Sequence, residues 1–344
     1  MTRKLTAIDL FAGCGGLTQG LKDSGYAVLG AVEVDEKARH TYTLNHPEVK
    51  LAGSDIRKLS AQELMESIGL KAGELDLLAG CPPCQGFSTL RARAGKSPAA
   101  DSRNKLIDDF GRIAVELNPK YIMMENVPAL ANYDGFKKLV SKLERRGYSV
   151  IYETLDAANY FVPQRRKRLI LCASRIGRPK LAKPSRELLS VRSAIGYLGE
   201  PGSTGDEIHD IPSKRQHERT REIISLIPKD GGSRHSLPQH LRLACHSRVS
   251  GFNDVYGRMA WESASPTITS GCTNPSKGRF IHPEHNRPIT LREAALLQGF
   301  PPDYKFEVRH GKEAIALMIG NALPPPFIAA QGKAIAQGIK DGSR

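Results

Sequence analysis

Asp9-Leu10-Phe11-Ala12-Gly13-Cys14-Gly15-Gly16 decides how the chain is read. A β-type run precedes it and a helix-like run follows, so its glycines stand where a first strand turns into a helix and let the backbone approach a ligand closely. About twenty residues further on, at the end of a second strand-like run, stands Glu33. In nucleotide-binding α/β folds an acid at that place accepts hydrogen bonds from ribose hydroxyls. Asp55, after the short segment 51–54, can accept from an adenine amino group. The turn departs from the G-x-G-x-x-G spacing, and Phe11 and Cys14 crowd the place where a pyrophosphate would lie. That favours a ligand without phosphates, such as S-adenosylmethionine, over a dinucleotide. A tight turn with no ligand is the plainer alternative.

Working outward, residues 5 to about 171 alternate strand-like runs (6–11, 28–34, 75–79, 121–125, 149–155, 168–173) with helix-like stretches (16–24, 36–45, 61–68, 106–117, 136–145). This pattern predicts a parallel sheet covered by helices, a doubly wound, Rossmann-like α/β lobe. From about 180 to 288 the regularity fails, Pro, Gly, Ser and His are scattered, and basic residues recur, which predicts a smaller, irregular lobe. Helical patterns return at 290–298, 313–319 and 325–339.

The 344 residues are 40% hydrophobic and 25% charged, which suits a globular chain with a sizeable core rather than a disordered tail. The longest apolar runs, 75–80 and 121–124, are strand-sized, so no membrane span is expected. Residues 1–4 lead directly into the first strand and leave no room for a signal peptide, which predicts a cytoplasmic protein whose six cysteines stay thiols. The net charge of +14 suits a polyanionic partner such as nucleic acid.

Gly80-Cys81-Pro82-Pro83-Cys84-Gln85 follows the run 75–79 and puts a thiol, Cys84, on a proline-stiffened loop at the carboxyl edge of the sheet, where open α/β sheets bind ligands. A redox pair is the other reading of C-x-x-C; a zinc site would need a second such pair, and none exists, so no metal is expected. Glu125 ends an apolar strand at the same edge. A carboxylate there is costly to bury without a task or a partner, and it suits either proton donation to a ring nitrogen or a salt bridge to a nearby arginine. In Gln164-Arg165-Arg166-Lys167-Arg168, strand alternation lets Arg166 and Arg168 face one way, suited to a phosphate and a carbonyl oxygen, with a solvated basic face as the alternative.

Taken in order, these segments resemble the motif series of the DNA (cytosine-5) methyltransferase family, bacterial type: the turn 9–16, Pro83-Cys84-Gln85, Glu125-Asn126-Val127, Gln164–Arg168, the hinge-like 287–293 with 297–301, and Gly320-Asn321-Ala322-Leu323-Pro324. The resemblance implies a fold in which 1–190 forms the catalytic and S-adenosylmethionine-binding lobe, 191–304 the target-recognition region and hinge, and 305–344 a segment returning to the catalytic lobe. It implies that Cys84 adds to carbon 6 of a flipped cytosine, that Glu125 holds the amine and protonates N3, that Arg168 binds the base carbonyl, and that Arg166 serves phosphate contact and order in the site. The Pro82 carbonyl would also accept from the amine. For the cofactor it implies Phe11, Gly13, Gly15, Glu33, Asp55, Pro83, Leu106 and Asn321. For DNA it implies Gln85, Ser88, Arg91 and Arg103 on or beside a closing loop, and Thr267 on the backbone of the extruded nucleotide. Arg234, His235, Arg242, His246, Arg248 and Lys277 are further candidates for DNA contact.

The expected activity is therefore cytosine-5 methylation of duplex DNA, in restriction–modification beside a cognate restriction endonuclease or by a solitary methylase, from a nucleoid-associated monomer. An RNA cytosine-5 methyltransferase and a catalytically silent DNA-binding relative are the rivals. The first is disfavoured by the size of the recognition region and the second by the joint presence of Cys84, Glu125 and Arg168. Cys81, close to Cys84, also suggests an oxidation-sensitive pair.

Overall fold

The computed structural model describes residues 3–83, 105–211, 218–242 and 254–342. Contacts divide the chain into two units, the first made of Met1–Tyr160, Lys167–Pro184 and Leu323–Arg344, the second of Phe161–Arg166 and Ser185–Ala322.

The first unit is an α/β layer structure. Its elements are β1 (Thr6–Leu10), α1 (Gly16–Asp23), β2 (Ala27–Val32), α2 (Glu36–Asn45), β3 (Lys50–Gly53), α3 (Ala61–Ile68), β4 (Leu77–Gly80), α4 (Leu106–Leu117), β5 (Tyr121–Asn126), α5 (Asp134–Glu144), β6 (Ser149–Asp156) and β7 (Lys167–Ser174), closed by the C-terminal helix Pro325–Gly342. The sheet order is β3-β2-β1-β4-β5-β7-β6. Strands β1 to β5 pair in parallel, whereas β7 runs antiparallel to both β5 and β6. The sheet is thus mixed, not parallel throughout as the alternation predicts. Apolar runs carry no strand direction, and between β6 and β7 there is only the single 3-10 turn Ala157–Asn159, with no α-helical crossover to return the chain parallel. The short edge strand β3, with no buried residue, is too weakly patterned to stand out in the sequence.

Local signals set the helix starts. Asp35 caps α2 by accepting from the Ala38 amide, and Ser60 with Glu63 forms a capping box on α3. One face of the sheet, with Ile8, Leu10, Leu78, Ile122, Met124 and Leu171, packs against Leu64, Phe110 and Phe136 of α3, α4 and α5. Each such side chain contributes roughly 1.5–3 kcal/mol on full burial. On the other face the C-terminal helix lies against α1, so close that a Cβ on Gly20 would fall 2.5 Å from the Pro325 carbonyl oxygen.

The second unit is built from short helices, among them Val191–Ile195, Glu218–Leu226, Leu291–Leu297 and Gly311–Asn321, joined by long irregular runs. It has a small core of Ile223, Ile224, Ile227, Leu237, Tyr256 and Ile281. Residues 305–322 pack with this unit, and the chain returns to the first at Leu323. The stretch Val308–Gly342 is long and apolar, but it breaks between Asn321 and Pro325 into two helices and is more than half buried.

Candidate active site

The glycine turn takes left-handed backbone at Phe11 (φ 64°), Gly13 (φ 56°) and Gly15 (φ 101°). For phenylalanine this is strained by about 1–3 kcal/mol. The strain is held by bonds on either side: the Ala12 amide donates to the Val32 carbonyl at 3.0 Å, and the Gly15 amide to the Ala12 carbonyl at 2.9 Å. Glu33, just past β2, is fixed by two amides, accepting from Gly13 on Oε2 and from Asp35 on Oε1, each at 2.7 Å. Burial raises its pKa against those two bonds. The neighbouring Val34 is 66% exposed and offers an apolar face beside that carboxylate.

These features fit S-adenosylmethionine. A Cβ on Gly13 would meet nothing within 4 Å, so the turn is open to a ligand there, and the turn 9–16 holds no lysine or arginine to balance a phosphate. Asp55 carries a two-pronged bond from the Arg57 guanidinium (2.8 and 2.7 Å), which holds its carboxyl below the usual range; a contact to adenine would use its remaining lone pairs. Leu106 opens α4, half-buried against the core, and Pro83 is the last described residue before Cys84.

Beside the turn, Gly80 lets β4 pass so close to β1 that a Cβ would lie 2.9 Å from the Leu10 carbonyl oxygen, and the Cys81 amide extends the ladder to that same carbonyl. At the tip of β5 the buried Glu125 carboxylate lies 2.7 Å from the Arg168 Nε of β7. Of the two readings of Glu125, the salt bridge to a nearby arginine is the one the geometry displays. The Cys81 thiol donates to Glu125, and burial, then the charges of Glu125 and Asp9, push it well above the usual range. Cys81 is therefore a thiol and no ready nucleophile. Next to Glu125, the Asn126 Nδ2 donates to the Pro82 carbonyl at 2.8 Å, while its Oδ1 accepts from the Val127 amide at 2.9 Å. The sequence alone assigns Asn126 no task; a polar side chain completing an apolar strand is the available signal.

Exposure alternates along the arginine motif, with Arg165 and Lys167 exposed, Arg166 buried and Arg168 half-buried. Arg166 belongs to the second unit, where its Nη1 donates to the Ile268 carbonyl and its Nη2 to the Gly320 carbonyl, both at 2.9 Å. Those bonds go to main chain, so the guanidinium pins the Thr267 element and the turn before Asn321; the structure gives it no outward face for a phosphate. Gln164 reinforces the same joint by accepting from the Ile268 amide at 2.9 Å. Asn321 is exposed. Arg234 is buried and Arg242 donates to the Leu237 and His235 carbonyls, whereas His235 and Lys277 are exposed. Cys84, Gln85, Ser88, Arg91, Arg103, His246 and Arg248 lie outside the described residues.

A half-buried acid fixed by two amides behind a glycine turn without lysine or arginine, on this mixed sheet, belongs with a class, the S-adenosylmethionine-dependent α/β methyltransferases. Within it, the chain belongs to the C-5 cytosine-specific DNA methylase family, whose model matches residues 5–337. It is 35% identical to Type II methylase M.HgiDII of Herpetosiphon aurantiacus over 97% of this chain and 94% of that one. It is 32% identical to Type II methyltransferase M1.HphI of Haemophilus parahaemolyticus, covering 96% and 86%. Among solved structures, a chain described as a DNA modification methyltransferase encoded within an E. coli prophage superposes with a TM-score of 0.70 at 25% identity, covering 97% and 99%. The fold is shared with Spodoptera frugiperda DNMT2 (TM-score 0.67, 19% identity, 96% and 99% covered). The protein is a DNA (cytosine-5) methyltransferase that uses S-adenosylmethionine.

Proposed function

We propose that the chain methylates a cytosine flipped out of a specific duplex sequence by way of a transient bond from Cys84 to carbon 6, and that it works in restriction–modification or as a solitary methylase. The observation that carries the site assignment is the Glu125–Arg168 pair, 2.7 Å apart, beside the Cys81–Pro83 run that leads into Cys84. Similarity to Type II methyltransferases supports the restriction–modification setting; a cognate endonuclease, a monomeric enzyme and a nucleoid-associated, cytoplasmic location complete the proposal. The domain roles follow: 1–190 for chemistry, 191–304 for recognition, 305–344 for closing the fold.

Phe11, Gly13, Gly15, Glu33, Asp55, Pro83, Leu106 and Asn321 would hold S-adenosylmethionine, which when bound supplies an electrophilic methyl group. Glu125 holds the exocyclic amine and gives N3 a proton as the Cys84 thiolate adds to carbon 6, so that carbon 5 becomes nucleophilic. Arg168 orients Glu125 and donates to the base carbonyl, and the Pro82 carbonyl accepts the second amine hydrogen. Loss of the carbon 5 proton to a base, with return of the N3 proton to Glu125, expels Cys84 as thiolate. Gln85, Ser88, Arg91, Arg103 and Thr267 would meet DNA, and Arg166 acts by ordering the Thr267 element.

The test starts from bisulfite sequencing of DNA from a host expressing the gene, which yields the target sequence. A duplex of that sequence with 5-fluorocytosine at the target, incubated with enzyme and S-adenosylmethionine, is expected to give a denaturation-resistant complex mapped to Cys84. Turnover without a trapped complex, or a complex on another residue, defeats the assignment.

A further inference from the structure

One face of the sheet carries ionisable side chains from neighbouring strands. The register sets Asp9 of β1 beside Ala79 of β4, and Gly80 beside Met124 of β5, so Cys81, one step past β4, stands next to Glu125. The Cys81 amide continues the ladder by donating to the Leu10 carbonyl at 3.2 Å, which fixes that step. Glu125 lies opposite Ile170 of β7, and Arg168, two residues from Ile170, shares its side of the sheet. Asp9, Cys81, Glu125 and Arg168 thus form a row in which a half-buried thiol stands between two carboxyl groups.

The thiol hydrogen goes to one of those carboxyl groups. Asp9 Oδ2 accepts from Thr18 Oγ1 at 2.7 Å and its Oδ1 has no hydrogen-bond partner, whereas Glu125 accepts from Cys81. Glu125 therefore has a donor from the strand on either side of it, the Arg168 Nε at 2.7 Å and the Cys81 thiol. Burial and the charges of Glu125 and Asp9 keep Cys81 a thiol against the opposing pull of Arg168, so this donor does not ionise away. In the reaction the Arg168 guanidinium is shared with the base carbonyl, which leaves the thiol as the donor dedicated to Glu125.

We propose that Cys81 is a positioning residue for methyl transfer, its thiol holding the Glu125 carboxyl in place and keeping the Glu125 proton loosely enough bound to pass to N3. The proposal rests on the role given to Glu125 above and deepens it. An acid that binds its proton too firmly is a poor donor to a ring nitrogen, and a hydrogen bond to the charged form loosens that hold. Cys81 keeps its own hydrogen throughout.

The experiment measures the single-turnover rate of methyl transfer from labelled S-adenosylmethionine to the target duplex across a pH series, for wild type, Cys81→Ala and Cys81→Ser. Protonated Glu125 is the form that acts, so the rate falls on the alkaline side, and Glu125→Gln identifies that fall by lacking it. Cys81→Ala is expected to move the alkaline fall to higher pH by about 1 unit. Cys81→Ser keeps a donor and should stay close to wild type. A loss equal at every pH, with the alkaline fall unmoved in Cys81→Ala, overturns the proposal. The bond itself is read without DNA, from the infrared S–H band isolated by subtracting the Cys81→Ser spectrum from that of wild type. That band should rise in frequency when Glu125→Gln replaces the charged acceptor, and an unmoved band also overturns the proposal. Failure of the underlying reading looks different: the S–H band would still move, but the wild-type enzyme would transfer no methyl group to duplex DNA or would lack an alkaline fall that Glu125→Gln removes.

Discussion

The Asn126 amide donates to the Pro82 carbonyl at 2.8 Å, tying the tip of β5 to the run that leads into Cys84. The Val127 amide fixes which way the Asn126 side chain faces, because only Oδ1 can accept from it. Asn126→Asp keeps the volume but sets an acceptor against a carbonyl. The expected result is a fall in kcat of about 100-fold, the scale of an ångström-sized misplacement, with KM for S-adenosylmethionine little changed. Steady-state methylation with labelled cofactor measures both, and a kcat within a factor of about 2 of wild type removes Asn126 from the positioning of the loop.

Glu125 and Arg168 meet at 2.7 Å, the carboxylate 9% and the guanidinium 15% exposed at their side chains, so each needs the other. Glu125→Gln keeps the shape and loses the proton donor. Methyl transfer should fall by roughly 100- to 10,000-fold while duplex binding persists. Arg168→Lys retains a charge but not a planar fork, and should fall less than Arg168→Met. Equal losses in the two arginine variants would show that fork geometry is irrelevant at that position.

Much of this is legible in the chain. The helix-like runs 36–45, 61–68 and 106–117 match α2, α3 and α4, the first two with capping residues at their starts and the third by apolar periodicity, and the glycine turn with Glu33 follows from spacing alone. Strand direction is not, since β7 reads as one more apolar run whether parallel or antiparallel. Alternation correctly puts Arg166 and Arg168 apart from Arg165 and Lys167 in exposure, yet it cannot tell what they meet. Arg166 bonds Ile268 and Gly320, about a hundred residues or more away in sequence, and such partners are set by the tertiary fold rather than by any local pattern. The same holds for Arg258, whose burial the sequence does not announce.

Arg258 is fully buried, and its guanidinium donates to the carbonyls of Ile224, Ile227, His282 and His285 and to Asn286 Oδ1. Burial lowers its pKa, and the five bonds distribute its charge over main chain rather than onto a carboxylate. Arg258→Met leaves several buried acceptors without donors, at about 1–3 kcal/mol each. The second unit should lose at least about 3 kcal/mol, seen as a lower midpoint in urea. Arg258→Lys, with its ammonium donors, should restore part of it, and a midpoint unchanged by either substitution would contradict the account.

Asp9 offers the clearest pH dependence. It is fully buried under α1; Oδ2 accepts from Thr18 Oγ1 at 2.7 Å and Oδ1 has no hydrogen-bond partner. Thr18 in turn shares a hydrogen bond with the Tyr42 hydroxyl at 2.9 Å, and among the described residues the ionisable groups that interact with Asp9 are Glu33, Tyr42 and Cys81, none of them cationic. Burial, aided by Glu33 and opposed by Thr18, pushes its pKa up to about 7. In the unfolded chain the same carboxyl releases its proton near about 3.9. Below about pH 4 both states hold the proton, and the stabilisation this gives the native state is complete. As pH rises toward about 7 only the native state retains it, so stability declines across that window and levels off above it. The side-chain amide introduced by Asp9→Asn cannot ionise. Melting temperatures of Asp9→Asn relative to wild type should therefore climb from about pH 5 to about pH 7 and then stay constant, on top of any fixed offset from the altered hydrogen bond. Two melting curves that run parallel from about pH 5 to about pH 8 would mean that Asp9 does not titrate in that range.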